Sequence, residues 1–259
     1  MNEAELLAFC AAVSAHASLE ALHVSDTPLD SPAVMNVLST SALAINLRDL
    51  SLRRCGLSPA SVPSLARLIR GDVLESLLID NNGDPLLDDA TAAQLADVLA
   101  ASRTLTRLQL DGTRFWDDAP AATVIMRALT GHPRLQEVDL SYNQPPDQLA
   151  TGAALGALVA ANAPALQLLV VQWSRFGDVG LGGLCEALPR NTHLRELDLN
   201  WTSMSAAFAR DVLCPAVLAN SSLRKLKASQ YWDYAPGEQA PPELLEAEAL
   251  VAARNNGDR

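Results

Sequence analysis

The feature that most constrains the fold is a leucine pattern that recurs about every 29 residues. Eight strand-like segments share it, and successive segments begin 27 to 31 residues apart. Their first residues are Leu19, Leu47, Leu74, Leu105, Leu135, Leu166, Leu194 and Leu223. Self-similarity at one period is the signature of a repeat array, in which each unit packs against its neighbours. The sequence therefore predicts a chain of about eight similar units.

Each unit has the same internal order when its first leucine is numbered offset 0. Apolar residues fall at offsets 0, 3 and 5, and a helix-like run such as 91–102 follows later in the unit. A small polar residue or cysteine falls at offset 8, namely Thr27, Cys55, Asn82, Thr113, Asn143, Ser174 and Thr202. An apolar residue often falls at offset 10, as in Leu29, Leu57, Phe115, Phe176 and Met204. The change of period from 2 to about 3.6 predicts a strand followed by a helix, and the offset-8 side chain is expected to bond backbone groups in the turn between them.

This pattern resembles the leucine-rich repeat, L-x-x-L-x-L-x-x-N/C-x-L. Units of 27–31 residues with a full helix resemble its ribonuclease-inhibitor-like class, and 166–193 is the clearest match. The resemblance implies an α/β solenoid shaped as a curved horseshoe, with a parallel sheet on the concave face and helices on the convex face. Departures occur at Asp84 and Pro145, which replace the apolar residue of offset 10, and at Ala228, which occupies offset 5.

The repeats account for nearly the whole chain, so a single domain over 1–259 is expected. Residues 1–18 form a leading half-repeat helix in this interpretation, 19–228 hold the repeats, and 229–259 supply a last loop insert and a closing helix. Pro242 and the acids after it suit the first turn of that closing helix.

The outward positions predict a binding surface. Offsets 2, 4 and 6 are expected on the concave face and offset 7 at its rim. Tyr142, Trp173 and Trp201 occupy offset 7 in three consecutive repeats, so their rings are predicted to be neighbours, about 4.8 Å apart by strand spacing. Trp232, in the insert after repeat 8, is a further candidate for the row.

Repeat 6 places Leu168 and Val170 at the outward offsets 2 and 4. The repeats on either side carry acids at the same offsets, namely Glu137, Asp139, Glu196 and Asp198. An apolar centre with aromatic anchors and a charged border is typical of protein interfaces. The predicted partner is a protein with a basic surface and an apolar or aromatic group. Two alternatives stay open: the rings stiffen the sheet or cover its core, or the strip is covered by residues 229–242 or the C-terminal tail.

The net negative charge of the chain disfavours recognition of some classes of binding partner. The chain has 30 acidic and 19 basic residues, a net charge of −11, and nucleic acid is not expected because phosphate binding needs a basic face. Basic residues gather in repeats 2 and 8, at Arg48, Arg53, Arg54, Arg224, Lys225 and Lys227. One interpretation is that these residues form a charged surface in contact with solvent. The other is that positive charge at both ends of the concave face orients a bound partner. Arg53 and Arg54 are placed to pair with Asp80 and Asn81.

No catalytic, cofactor or metal site is expected. The sequence has no phosphate-loop or nucleophile-elbow motif, and its four cysteines and four histidines lack metal-ligand spacing. Cys55 is assigned to the offset-8 row, while Cys185 and Cys214 are expected to be buried thiols on neighbouring helices. Scattered cysteines favour a reducing, cytoplasmic location.

Two apolar segments resemble a signal peptide and a membrane span, but neither is predicted to be one. Residues 6–17 are not read as a signal peptide because Glu3 and Glu5 precede them. Residues 153–171 are expected to form a helix and a strand, separated at Asn162 and Pro164, instead of a membrane span.

Three functions therefore remain. The first is protein binding through the concave face and the aromatic rim. The second follows from the resemblance, whose class includes acidic proteins that regulate an enzyme in trans, as an inhibitor or as a GTPase-activating protein. Bacterial effectors that bind a host protein also belong to this class of repeat, so an effector role is part of this alternative. The third is a structural contact, with the aromatic row forming a homodimer or filament interface.

Overall fold

Parallel strands alternate with helices throughout the computed structural model, which describes residues 2–16, 18–40, 45–82, 85–229 and 240–256. This alternation confirms the predicted α/β repeat fold. The chain divides into two compact units, Met1–Leu129 and Thr130–Arg259. The prediction of one domain over 1–259 stays a prediction.

Within its described residues, the first unit contains four strands, and helices pack beside them. Its elements are α1 (Glu3–Ser14), β1 (Ala21–Ser25), α2 (Pro32–Thr40), β2 (Asp49–Arg53), α3 (Val62–Arg70), β3 (Ser76–Asp80), α4 (Asp89–Ala101), β4 (Arg107–Gln109) and α5 (Ala119–Leu129). The leading helix expected within 1–18 is α1. The Asn2 side chain begins it by accepting the Glu5 N–H at 2.9 Å.

The second unit repeats this arrangement. Its elements are β5 (Glu137–Asp139), α6 (Gln148–Ala160), β6 (Leu168–Val170), α7 (Gly177–Ala187), β7 (Glu196–Asp198), α8 (Ala206–Phe208), α9 (Cys214–Ala219), β8 (Lys225–Lys227) and α10 (Pro242–Ala253). A π-helical turn, Ala209–Leu213, joins α8 to α9. Pro215 follows this turn and lacks the N–H that would continue regular α-helical bonding. The predicted closing helix is α10.

Strand pairing aligns equal offsets of successive repeats. In the first unit Ala21 pairs with Asp49, Asp49 with Ser76, and Ser76 with Arg107. In the second unit the paired residues are Glu137, Leu168, Glu196 and Lys225 in order across β5 to β8. All eight of these residues stand at offset 2, so one position of the repeat forms one row across the strands of each unit.

The leucines of the repeat form the core of each unit. The offset-3 residue is buried in every strand: Leu22, Leu50, Leu77, Leu108, Val138, Leu169, Leu197 and Leu226. The offset-10 residues Leu29, Leu57, Phe115, Phe176 and Met204 are buried as well. Of the departures, Asp84 lies outside the described residues, and repeat 3 buries Leu86 and Leu87 nearby. Apolar packing therefore recurs with the sequence period.

The offset-8 residues bond the turn backbone as predicted. Asn82 donates its Nδ2 to the carbonyls of Leu52 and Asp80 at 3.1 Å, and its Oδ1 accepts the Cys55 N–H at 2.9 Å. The hydroxyl of Thr113 donates to Leu110 O, and that of Thr202 donates to Leu199 O, each at 2.8 Å. Because these groups are buried, leaving them unpaired would cost free energy. This cost explains why small polar residues recur at offset 8.

The last strand is covered by α10. The Glu248 carboxylate accepts the Ser229 N–H at 2.8 Å and the Ser229 hydroxyl at 2.6 Å. Asn255 donates its side-chain amide to Arg224 O at 3.0 Å. These side chains occupy backbone groups that a further strand would otherwise bond, which protects the end of the sheet from pairing with other chains.

Shortening a strand leucine is expected to destabilise the protein strongly. Leu197 is 1% exposed and lies between Leu169 and Leu226 on the adjacent strands. Leu197→Ala should lower the free energy of unfolding by about 2–5 kcal/mol, because it leaves a cavity in the core. Urea denaturation followed by circular dichroism checks this. A loss below about 1 kcal/mol would contradict the placement of Leu197 in the core.

Candidate functional site

The residue at offset 7 adopts a left-handed backbone conformation in every repeat that the structure describes at this position. The φ angles lie between 49° and 59° at Asp26, Arg54, Asn81, Gly112, Tyr142, Trp173 and Trp201. In this turn the offset-7 N–H repeatedly donates a hydrogen bond to the offset-6 carbonyl of the next repeat. Tyr142 N–H donates to Gln172 O at 3.0 Å, and Trp173 N–H donates to Asn200 O at 2.9 Å.

Bulky side chains are unfavourable in this conformation. Glycine, asparagine and aspartate tolerate positive φ, and Gly112, Asn81 and Asp26 follow that preference. A residue with a large side chain loses about 1–2 kcal/mol there. Tyr142, Trp173 and Trp201 are therefore held in strained positions, and strain of this kind concentrates at functional sites.

The three rings form one continuous stack. The centroids of Tyr142 and Trp173 lie 5.4 Å apart with an interplanar angle of 7°, and those of Trp173 and Trp201 lie 4.2 Å apart with an angle of 14°. The expected adjacency of the rings is confirmed. Trp173 has a ring on each side, and Tyr142 is the most accessible member at 48% exposed. Trp201 is half-buried, which differs from a fully outward ring.

Leu168 and Val170 lie beside the stack on β6. Pairing places Leu168 between Glu137 and Glu196, and Val170 between Asp139 and Asp198. This is the apolar centre between two acidic columns that the sequence predicts. Both apolar side chains are half-buried rather than fully exposed. Trp232, the remaining candidate, lies outside the described residues.

The acids at offsets 2 and 4 bond to neighbouring groups of the chain. On β7, Glu196 pairs with Lys225 at 2.9 Å, and Asp198 pairs with Lys227 at 3.0 Å. Asp198 is also buried, with 4% exposure, so it is not the exposed border residue that was expected. On β5, Asp139 accepts the Ser141 N–H at 2.9 Å. The lysines of repeat 8 thus neutralise the β7 acids.

The basic residues of repeat 2 also have acidic partners. Arg48 pairs with Glu75, and Arg53 lies 3.5 Å from Asp80. Arg54 bonds both carboxylate oxygens of Asp26 at 2.5 and 2.6 Å, where Asn81 was the predicted partner. This hydrogen bond lowers the pKa of Asp26. Each arginine of this cluster therefore lies in an ion pair with an acid of a neighbouring repeat.

Substitution of Tyr142 by asparagine should leave stability nearly unchanged. Asparagine fits positive φ, as Asn81 does in repeat 3, so the strain relieved offsets the lost stacking of about 0.5–1.5 kcal/mol. We expect the free energy of unfolding to change by less than about 1 kcal/mol. Thermal unfolding followed by circular dichroism checks this. A loss beyond about 2 kcal/mol would mean that the ring serves as part of the core.

The cysteines lack the features of reactive groups. All four are free and buried. Burial raises the pKa of Cys185 to about 12 and those of Cys55 and Cys214 to about 11. Reactive cysteines have lowered pKa values and some exposure, so these thiols are packing groups.

Thiol labelling tests this assignment. With an aromatic disulfide reagent at pH 8, the folded protein should react over hours, while guanidinium-unfolded protein should release four equivalents at once, one for each cysteine. The burial and the raised pKa values suppress the thiolate in the folded state. Labelling of the folded protein within seconds would contradict it.

The described residues were compared with the requirements of a metal site, a ligand cleft and a membrane span. Among the described residues, no group of three or more histidine, cysteine or acidic side chains is placed to hold a metal ion. A cleft on the helical side, between α3 and α4, is lined by Ile69, Arg70, Asp72, Asp97, Val98, Ala101 and Ser102, far in sequence from the aromatic stack. No helix in the described ranges is long and apolar enough to cross a membrane, and 153–171 divides into α6 and β6.

Sequence reasoning missed two features of the site. The left-handed turn was detectable, because Asp26, Asn81 and Gly112 at one offset are the residue types that tolerate positive φ. The ion pairs of β7 with β8 were detectable too, because Glu196 and Asp198 stand at the same offsets as Lys225 and Lys227. In both cases comparing one offset across all repeats gives the signal.

The chain has limited similarity to known proteins. The family described as "Leucine Rich repeat" matches residues 190–206, which span β7 and Trp201. No curated protein matches the sequence. A leiomodin-1 structure titled as its actin-binding site 2 is 10% identical, with a TM-score of 0.45, covering 74% of this chain and 88% of that chain. A tropomodulin C-terminal domain from Caenorhabditis elegans is 14% identical, with a TM-score of 0.47, covering 76% and 94%.

The ribonuclease-inhibitor-like class stays a prediction, because the family match does not separate classes of repeat. The repeated unit of strand, left-handed turn and helix agrees with the family match at 190–206. The fold of the chain is therefore of the leucine-rich-repeat type, and residues 190–206 match that family.

Proposed function

We propose that this protein is a recognition module that binds another protein through an aromatic face, defined as Tyr142, Trp173, Trp201, Leu168 and Val170. The observation that carries the proposal is the placement of three bulky rings in consecutive left-handed turns. The fold does not need them there, since glycine and asparagine fill the same turn in repeats 3 and 4.

The aromatic face has the physical properties of an interface core. Large rigid rings lose little conformational entropy on binding, and aromatic residues dominate binding energy in protein interfaces. The stack is already ordered by its own contacts at 4.2 and 5.4 Å. Leu168 and Val170 add half-exposed apolar surface beside it. A partner that covers these groups gains hydrophobic free energy without reorganising them.

Charge favours a basic partner. The protein carries a net charge of −11, and Glu137 and Asp139 lie beside the apolar strand β6. Opposite charge speeds encounter and orients the two proteins. The proposed partner is therefore a protein that presents an apolar group next to a basic one. Its binding needs no cofactor and no catalysis by this chain.

Affinity capture with a matched control tests the proposal. Wild-type protein, a Trp173→Asn/Trp201→Asn variant and an Arg54→Asn variant are immobilised and exposed to native lysate, and retained proteins are identified by mass spectrometry. All three substitutions occupy the same turn position with φ near 50°, so the backbone effect is matched. A protein retained by wild type and Arg54→Asn, but lost from the tryptophan variant, supports the proposal. Identical sets from all three would contradict it.

A further inference from the structure

The first unit has an open strand edge at β1. This strand pairs with β2 on one side, and no strand lies on its other side within the described residues. We propose that this edge binds an extended segment of another protein as an added parallel strand. In that segment apolar residues alternate with polar ones, and a lysine or arginine stands opposite Glu20. This binding position is distinct from the aromatic face and does not depend on it.

The backbone groups at the open edge follow from the bonds on the opposite edge. Glu20 O accepts the Asp49 N–H at 3.0 Å, and Asp26 N–H donates to Arg53 O at 2.9 Å. Because the N–H and C=O groups of successive strand residues point to opposite edges, the odd-numbered residues of β1 face away from β2. These outward residues are Ala21, His23 and Ser25. The Ser25 carbonyl accepts the Thr27 hydroxyl at 2.9 Å, so the middle of the edge, at His23, is the part open to a new strand.

The apolar core is also incomplete at this end. Leu19 and Val24 are half-buried, whereas Leu47 and Leu52, at the same offsets of repeat 2, are 2% and 0% exposed. The helix α1 packs on α2, but among the described residues no strand precedes α1 as one precedes each later helix of the first unit. A strand added beside β1 would occupy that position and cover the two half-buried side chains, which gains hydrophobic free energy.

The edge of β1 lacks the usual protection against strand addition. Native proteins protect free edges with lysine, proline, a bulge or a covering element. The strand reads Ala-Leu-His-Val-Ser, without lysine or proline, and it pairs with β2 without a bulge. The last strand is protected instead, because the side chains of Glu248 and Asn255 bond its backbone. An unprotected edge suits an extended partner segment, whose backbone hydrogen bonds supply affinity.

Charge favours a basic segment over a second copy of this chain. Residues 1–47 contain five acidic residues and no lysine or arginine, so two copies would bring two acidic ends together. Glu20 is exposed, and its carboxylate has no ion pair in the part of the chain that the structure describes. At the same offset of the next repeats, Arg48 and Glu75 form an ion pair between neighbouring strands. A lysine or arginine at this offset of the added strand would pair with Glu20 in the same way.

Labelled, capped peptides with the strand pattern of the repeat are the probes. One is Leu-Lys-Lys-Leu-Thr-Leu-Lys, and the other has glutamate in place of each lysine. Both are titrated into the full chain and its variants by fluorescence anisotropy. His23→Pro removes the outward N–H, and proline is tolerated on edge strands. The matched control, His23→Thr, keeps the N–H but also removes the imidazole, which lies 3.4 Å from Asp49. Glu20→Gln is compared with Asp30→Asn, which removes the same charge from another exposed position. Thermal unfolding confirms that each variant is folded.

We expect the lysine peptide to bind wild type and His23→Thr alike, and to bind His23→Pro at least about tenfold more weakly. Glu20→Gln should weaken this binding more than Asp30→Asn does, and the glutamate peptide should bind more weakly than the lysine peptide. Amide hydrogen exchange followed by NMR should show new protection of the His23 N–H in the wild-type complex.

Equal binding of the lysine peptide to His23→Pro and His23→Thr, or no new protection at His23, would overturn the inference. A dimer of the free protein that protects the His23 N–H would overturn the assignment of the edge to another protein, because a second copy would then occupy it. None of these results changes the capture test of the aromatic face, so the two proposals fail separately.

Discussion

Gly183→Ala is expected to destabilise the protein by about 1–3 kcal/mol or more, while Gly182→Ala in the same helix should be neutral or stabilising. The reason is the close approach of α6 to α7. A Cβ atom on Gly183 would lie too close to the carbonyl oxygen of Gly152, and one on Gly156 would lie 2.9 Å from the Gly183 backbone. A Cβ on Gly152 would meet Val179 O at 2.7 Å. Since the obstructing atoms are backbone, the helices must move apart to admit a methyl group.

Gly182 supplies the matched control, because a Cβ there meets nothing within 4 Å. Alanine is preferred to glycine inside helices by about 0.5–1 kcal/mol, so this variant should gain stability. Urea denaturation of wild type and both variants, with tryptophan fluorescence and circular dichroism as independent probes, measures the difference. Similar midpoints for the two variants would contradict the glycine-mediated packing of α6 on α7.

Trp173→Asn is expected to weaken binding of the captured protein by about thirtyfold or more, which corresponds to about 2 kcal/mol. Trp173 is the centre of the stack, and its loss separates Tyr142 from Trp201. Energetic hot spots are large aromatic residues near the centre of an interface. The new asparagine suits φ of 54° at this turn, so the strain it relieves offsets part of the lost stacking.

Surface plasmon resonance with the purified captured protein measures this effect. Arg54→Asn should bind as wild type does, because Arg54 occupies the same turn position in the first unit and pairs with Asp26. We expect the loss to appear mainly in the dissociation rate, as is usual when interface contacts are removed. An unchanged dissociation rate for Trp173→Asn would show that the ring makes no contact with that protein.

The repeat made most of the fold predictable. Each leucine at offset 3 had to be buried, because alternation along a strand leaves one face to the core, and Leu50, Val138 and Leu197 are buried accordingly. Cross-strand neighbours also followed from equal offsets, which is why the adjacency of Tyr142, Trp173 and Trp201 could be expected. Helix positions followed from the 3.6 period, with boundaries shifted by a few residues, as in α4, which begins at Asp89 before the predicted 91.

The electrostatic properties of the site were harder to predict. The outward direction of the side chains was predicted from the alternation along each strand. This alternation ends where the chain enters the left-handed turn at Tyr142. The exposure of the three rings therefore does not follow from strand alternation. Asp198 is buried and lies 3.0 Å from the ammonium of Lys227 in the next repeat. Such contacts are set by side-chain conformation between repeats, which the period of the sequence does not encode. The repeat pattern therefore predicts the backbone conformation and the buried core residues better than it predicts ion pairs between repeats.

Hydroxyl-radical footprinting of the unmodified protein, alone and bound to the captured protein, tests the central proposal most directly. Aromatic side chains react readily with the radical, and a covered ring loses reactivity. We expect protection at Tyr142, Trp173 and Trp201, with unchanged labelling at exposed helical residues such as Leu149 and Val179. Protection confined to the helices, with Tyr142 labelled as fast in the complex as in the free protein, would show that the aromatic face is not the binding surface.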